Sequence, residues 1–256
     1  MTLILNEIHT LDGFNRTFMV AAADRRLSNP DGSHYATHKK LLKIPYLKGA
    51  ISYFGLAAIK RHGKKDLLIS DFLSAFIRNN TSCTDLNSFS ANLKGALSNI
   101  VTRNILRQCA SGFHICGYNK NGIPDFWFFS NCALAQNYCY KDFQDEYNNP
   151  SSHFLGRDAK SFGWNGSDKN SISNHIRTYR NGDLRVHEAA WKALDNIYLE
   201  LIKFPDFVML TKEQEYKEYV KFKCKIIAYY YKNWAKKQVI APPIDVLLMT
   251  SKGYID

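Results

Sequence analysis

The sequence predicts an α+β chain built as a four-layer α/β/β/α sandwich, two antiparallel sheets packed face to face with helices on each outer side. The order of hydrophobic patterns leads there. Strand-like runs flanking turn signals open the chain, and helical spacing takes over from Asp66 to about Arg107; strands, helices and a closing strand then follow. A chain in that order can bury two sheets against each other and cover both outer faces with helices. At 256 residues, with 45% hydrophobic and 22% charged positions, it has the length and balance to fill such a core. Residues 1–256 read as one domain without internal repeats or a linker, carrying an additional basic helical segment at about 213–237.

The first two runs, Thr2–Ile8 and Thr17–Asp24, form a predicted hairpin, with the Asp-Gly turn signal in the HTLDGFNR stretch between them. Ala21, Ala22 and Ala23 allow close packing against another layer or open space beside a site. LSNPDGSHYATH reads as a turn before Lys39–Ile44 and Gly49–Phe54, which Pro45 separates. Two amphipathic helices follow, one carrying Leu67, Phe72, Ala75 and Phe76, the next Phe89, Leu93, Leu97, Ile100 and Val101; Asp85 suits the N-cap of the second. GFHICGYNKNGIPDFWFFSN is the clearest hairpin, turning at Asn119–Gly122. Tyr140 to Thr178, rich in Ser, Asn and Gly, reads as rim loops. Helical spacing returns with Ala190, Leu194, Ile197 and Leu201, then in Glu213–Trp234, whose apolar stripe is read as Tyr219, Phe222, Ile226, Tyr230 and Trp234. APPIDVLLMTSKGYID closes the chain as a strand and a Lys-Gly turn.

The formal charge of +11 favours acidic partners, and seven lysines lie in 217–237 against the single acid Glu218. A solvated helix face accounts for that excess more readily than a nucleic-acid surface. The six cysteines, Cys83, Cys109, Cys116, Cys132, Cys139 and Cys224, form no C-x-x-C pair, so zinc-ribbon and thioredoxin-type sites are not expected; they read as reduced, mostly buried thiols. His34 and His38 are four apart, yet no acidic partner completes a helical metal site. Cys116, in an apolar strand, reads as a buried thiol rather than a nucleophile. Neither metal nor cofactor is expected. With no signal-like start and no apolar run long enough to span a bilayer, a soluble cytoplasmic protein is expected.

The candidate chemistry gathers around Thr2. If Met1 is removed, Thr2 becomes an N-terminal threonine, whose hydroxyl can act as nucleophile with its own α-amine as base. Asp24 and Lys40, sixteen positions apart, and an apolar strand ending at Gly55 complete the set.

These residues carry a resemblance. Thr2-Leu-Ile-Leu, Ala22-Ala-Asp24-Arg-Arg, His38-Lys-Lys40-Leu-Leu-Lys-Ile44, Gly55 after a strand, the GFHICGYNKNGIPDFWFF hairpin, Gly182-Asp-Leu-Arg-Val-His-Glu-Ala189 and Pro243-Ile-Asp-Val-Leu together resemble the proteasome β-subunit family of N-terminal nucleophile hydrolases. The resemblance implies that Thr2 attacks a peptide or amide carbonyl, Lys40 eases its deprotonation electrostatically, Asp24 holds Lys40, and Gly55 or its neighbour donates an amide to the oxyanion. It also implies a homo-oligomer, in this family a ring, with a peptide or protein substrate and an unfoldase partner. The chain departs from the family where an Asp and a Ser precede the last strand to support the terminal amine: AKKQVIA stands there, and Ser161, Ser167 or Asp168 are the substitutes. The same residues allow a non-catalytic scaffold or binding subunit instead, or a nucleic-acid surface on the 217–237 lysines.

Overall fold

The structure, a computed structural model, describes residues 2–11, 16–29, 31–61, 63–133, 138–147 and 174–256. In chain order come β1 (Leu3–Leu11), β2 (Arg16–Asp24), β3 (Arg26–Ser28), β4 (His34–Thr37), β5 (Leu41–Ile44), a 3-10 turn at Pro45–Leu47, β6 (Gly49–Phe54), β7 (Ala58–Arg61) and β8 (Lys64–Leu68). The helices α1 (Ile69–Asn79), α2 (Leu86–Ile100) and α3 (Arg103–Gln108) follow, then β9 (Gly112–Tyr118), β10 (Pro124–Ala133), β11 (Tyr138–Tyr147) and β12 (Asn174–Gly182). The chain ends with α4 (Leu184–Leu201), α5 (Glu213–Trp234), β13 (Ile244–Thr250) and β14 (Gly253–Ile255).

One five-stranded sheet runs β12-β1-β2-β13-β14 and the other β11-β10-β9-β6-β5, all neighbours antiparallel. Three apolar clusters make the layers. Leu3, Leu5, Val20 and Ala22 pack outward against Trp191 of α4 and Val220, Cys224 and Ile227 of α5. Ile51, Phe113 and Phe129 pack outward against Leu73, Phe89, Leu93 and Leu106 of α1 to α3. Between the sheets, Ile4, Met19 and Ala21 meet Ala50, Phe126 and Phe128. This is the α/β/β/α sandwich, and Ala21 and Ala23 take part in the close approach of its two sheets.

Register follows from the pattern. In β1 the even residues Ile4 and Ile8 enter the inter-sheet layer, whereas Leu3 and Leu5 enter the helix layer. Asn6 shares the inter-sheet face and needs polar partners there. His114 of β9 supplies them, its Nδ1 lying 2.8 Å from Asn6 Nδ2 and its Nε2 lying 2.7 Å from Asn181 Nδ2 of β12. Cys116 donates to Asn6 Oδ1 at 3.2 Å. The imidazole is wholly buried, and burial pushes its pKa down to about 3. The neutral ring therefore bridges the sheets by accepting at one nitrogen and donating at the other, with one of the two amides turned to present its oxygen. Cys116 is a buried thiol, its pKa raised to about 12 by burial.

Several local readings change. LSNPDGSHYATH contains the paired strands β3 and β4, and the helical run from Asp66 is preceded by the β7–β8 ribbon, α1 starting at Ile69. Tyr140–Thr178 is not loop throughout, since β11 and β12 occupy its ends. Asp85 does cap α2, accepting from Ser88 N at 2.8 Å. The stripes of the last two helices are rotated from the sequence reading. In α5 the buried residues are Val220, Lys223, Cys224, Ile227, Ala228 and Tyr231, and Phe222, Tyr230 and Trp234 are exposed. In α4 Trp191 is buried and Ile197 exposed. No helix among the described residues is long and apolar enough to cross a membrane.

His114 generates a pH prediction. Its folded pKa lies below the ordinary 6.5, so its contribution is full above that value and is lost as pH falls toward 3. Over that window the unfolded chain takes up a proton the folded ring refuses, a slope of up to about 1.4 kcal/mol per pH unit. Urea unfolding at pH 7, 6 and 5 is expected to give a flatter loss of stability for His114→Gln than for the parent, with lower stability at pH 7. Parallel slopes would contradict the assignment.

Candidate functional site

Antiparallel pairing brings four strand ends together. Leu3 opposes Gly182, Ile4 opposes Ala23, and Ile244 opposes Asp24, so the starts of β1 and β13 and the ends of β2 and β12 share one edge of their sheet. Lys40 reaches the same point from the facing sheet, just before β5, where its carbonyl accepts from Tyr53 N at 3.3 Å.

There the structure joins Thr2, Asp24 and Lys40 into one buried cluster. Lys40 Nζ donates to Thr2 Oγ1 and Thr2 Oγ1 donates to Asp24 Oδ1. Lys40 Nζ also lies 3.0 Å from Asp24 Oδ1, which accepts from Leu3 N at 2.8 Å; Oδ2 accepts from Arg26 N at 3.0 Å. All three residues are at most 2% exposed. Burial pushes the Lys40 pKa down and Asp24 opposes that, with Arg26 adding to the depression. Chemically this is a hydroxyl held between a carboxylate acceptor and an ammonium donor, out of water, where such interactions strengthen.

The backbone of Thr2 is anchored as firmly. Its carbonyl accepts from Asp183 N at 2.9 Å, and Asp183 is itself buried. Gly182 makes this approach feasible: its φ is +103°, and a Cβ there would stand 1.9 Å from Thr2 O. In the sequence Asp183 stands only within the Gly182–Ala189 motif, with no role at the site assigned to it. The signal was available in a Gly-Asp step between a strand and a helix, but pairing with β1 is what brings it to Thr2.

Gly55 stands apart. It follows β6, is exposed, takes a φ of +85°, and has no room for a side chain, since a Cβ would stand 1.8 Å from Ala110 O. No hydrogen bond joins it to Thr2, Asp24 or Lys40 among the described residues. Its neighbour Leu56 donates to Ser111 Oγ at 3.0 Å. Ser161, Ser167 and Asp168 lie outside the described residues. His34 sits on β4, hydrogen-bonded to Thr37 Oγ1 at 3.0 Å, so the four-residue spacing to His38 is not a helical one. Among the described residues no cluster of His, Cys, Asp and Glu could hold a metal ion.

Neither a family model nor a curated protein matches the chain. Solved structures do resemble it. One is the Anbu (Gly-1) mutant from Hyphomicrobium sp. strain MC1, at a TM-score of 0.50 and 10% identity over 99% of this chain and 85% of that one. Another is Anbu, an ancestral β-subunit, from Yersinia bercovieri, at a TM-score of 0.47 and 10% identity over 98% and 86%. These findings correct the assignment to the proteasome β-subunit family: the similar structures are Anbu proteins, and at this identity the likeness is one of fold alone. The chain has a proteasome-like α/β/β/α fold.

Proposed function

We propose that this chain is an N-terminal threonine hydrolase acting on peptide or amide bonds, with Thr2 as nucleophile once Met1 has been removed. One observation carries the reading: Thr2 Oγ1 is hydrogen-bonded to both Lys40 Nζ and Asp24 Oδ1 inside the fold. With Met1 present the Thr2 nitrogen is in a peptide bond, so cleavage of that bond is what frees the base.

In the proposed reaction the Thr2 α-amine takes the Oγ1 proton as Oγ1 bonds to the carbonyl carbon. Lys40 stabilises the charge on oxygen, and Asp24 holds Lys40 in place. Collapse of the tetrahedral intermediate breaks the C–N bond, the leaving amine takes the proton, and water releases the Thr2 ester. Asp183 holds the Thr2 carbonyl through its backbone N–H. Gly55, exposed beyond β6, keeps the proposed role of amide donor to a bound substrate's oxyanion. A homo-oligomer belongs to this reading, and the exposed Ile197, Phe204, Phe207 and Met209 support it.

A second reading, a non-catalytic subunit using the sandwich as a scaffold, is favoured by the burial of Thr2 at 2% exposure. Intact mass of the purified protein separates the two first, because hydrolysis requires loss of Met1. Fluorogenic peptides are then expected to be cleaved by the mature chain and not by Thr2→Ala, and a threonine-directed electrophile to add to the mature chain alone. Equal turnover by the parent and Thr2→Ala would refute the hydrolase.

The ion pair gives an asymmetric stability prediction. Asp24→Ala strands the Lys40 ammonium in the interior and is expected to cost about 3 to 5 kcal/mol in urea unfolding. Lys40→Met should cost less, because Asp24 keeps the N–H groups of Leu3 and Arg26. Lys40→Met should also abolish peptide cleavage while the chain remains folded.

A further inference from the structure

Four large aromatic side chains of α5, Phe222, Tyr229, Tyr230 and Trp234, stand in water at 47 to 67% exposure, although the spacing of three of them reads in the sequence as a buried stripe. The helix buries another face. Val220, Cys224, Ile227, Ala228 and Tyr231 pack with Leu3, Val20, Ala22 and Leu248 of the sheet beneath. The exposed rings are therefore surplus to the core, and the proposed hydrolysis makes no use of them.

Their arrangement is regular. The Trp234 ring centroid lies 5.6 Å from that of Tyr229 and 5.4 Å from that of Tyr230, so three rings form one cluster over the last turns of the helix. Lysines alternate with aromatics along the axis. Phe222, Lys225, Tyr229, Lys232 and Lys236 follow one another at steps of three or four residues and so share a face, about 21 Å long from first to last. Lys225, Lys232 and Lys236 are exposed and make no ion pair among the described residues. Lys221 is engaged by Glu218 at 3.4 Å, and Lys237 lies against Gly32 beside Asp31, so neither is counted. No acidic residue occurs between Glu218 and Asp245.

The helix dipole accounts for cations in a last turn, but not for rings that forgo burial there. Rings interleaved with cations are complemented by flat apolar surfaces to stack on and negative charge repeated along a line. A single nucleic-acid strand supplies both, as base and phosphate. A duplex hides its base faces and offers phosphates alone. A second copy of this face would set lysine against lysine. A helix lying in a bilayer surface keeps one continuous apolar face with its cations on the other, whereas here the cations interrupt the rings. The apolar residues that support a homo-oligomer, Ile197 to Met209, precede α5 and leave its C-terminal half unassigned.

We propose that this face of α5 binds single-stranded nucleic acid without sequence preference, bases stacking on Tyr229, Tyr230 and Trp234 and phosphates pairing with Lys225, Lys232 and Lys236.

Fluorescence anisotropy of a fluorescein-labelled oligouridylate of about 12 nucleotides, titrated with the full chain, tests the face. Saturable binding is expected. Three phosphates neutralised at about 0.7 each imply an affinity roughly twentyfold lower at about 200 mM salt than at about 50 mM. Lys232→Gln should reduce the logarithmic salt slope by about 0.7, and the triple change of Lys225, Lys232 and Lys236 to Gln should abolish binding. Tyr229→Ala and Trp234→Ala should each weaken binding about tenfold with the slope unchanged, and Trp234→Phe should recover most of the loss, in chains whose circular dichroism matches the parent. An unlabelled duplex should compete about tenfold less well than the single strand. Thr2→Ala should bind as the parent does, so this face stands or falls independently of the hydrolase reading. No saturable change, equal competition by the duplex, or indifference to Tyr229→Ala and Trp234→Ala would overturn the proposal. A chain that leaves the oligonucleotide free but sediments with phosphatidylserine vesicles, or whose dimer dissociates on Trp234→Ala, would overturn it in favour of a membrane or a second copy.

Discussion

The period of two along β1 is the constraint on which the rest of the molecule depends, because both faces of this strand are buried. Leu3, Leu5, Glu7 and His9 serve the helix layer, and Ile4, Asn6 and Ile8 serve the facing sheet. A slip of one residue would exchange these sets, driving Glu7 between the sheets and Asn6 away from His114. It would also carry Leu3 N away from Asp24, one of the bonds by which β1 fixes Thr2 against the acid. Asn6 and Glu7 therefore act as register markers: each has matching polar partners on its own face only, His114 for one and Lys223 and His9 for the other.

The two buried charge clusters show how differently that strand is used at its start and its middle. At the start, one carboxylate and one ammonium close around a hydroxyl, and every oxygen of Asp24 has a donor. The charges balance and the acceptors are filled. In the middle, two carboxylates lie near one ammonium, and Asp195 Oδ2 is buried without a hydrogen-bond partner among the described residues. Isolated buried charge is unfavourable, so a balanced cluster suits a fixed, pre-organised arrangement.

Much of the layering was legible in the sequence, because strands buried on both faces and helices buried on one leave different hydrophobic periods. Thr2, Asp24 and Lys40 could be named from spacing and resemblance, and the fold brings them together. What escaped did so for identifiable reasons. β12 is written in polar and charged residues, Asn174 to Gly182, since much of its stabilisation comes from pairing with β1 and from contacts such as Tyr179 on Phe126. In α5 the aromatic residues outnumber the aliphatic ones and drew the stripe to the wrong face; the true stripe contains Lys223, whose burial makes sense only once Glu7 and Asp195 are in place. Asp183 matters only because Gly182 permits a close approach to a strand almost 180 residues earlier in the chain.

Anchoring Thr2 through its carbonyl, not its nitrogen, has a consequence for the proposed chemistry. The Asp183 N–H fixes the backbone on the side of Thr2 that stays in the peptide chain, so removal of Met1 would leave this support and the Oγ1 contacts in place. It would add one ionisable amine to a cluster in which Asp24 and Lys40 already balance. On the proposed reading this amine takes the Oγ1 proton, and Lys40, which already donates to Oγ1, stabilises the charge that develops on that oxygen.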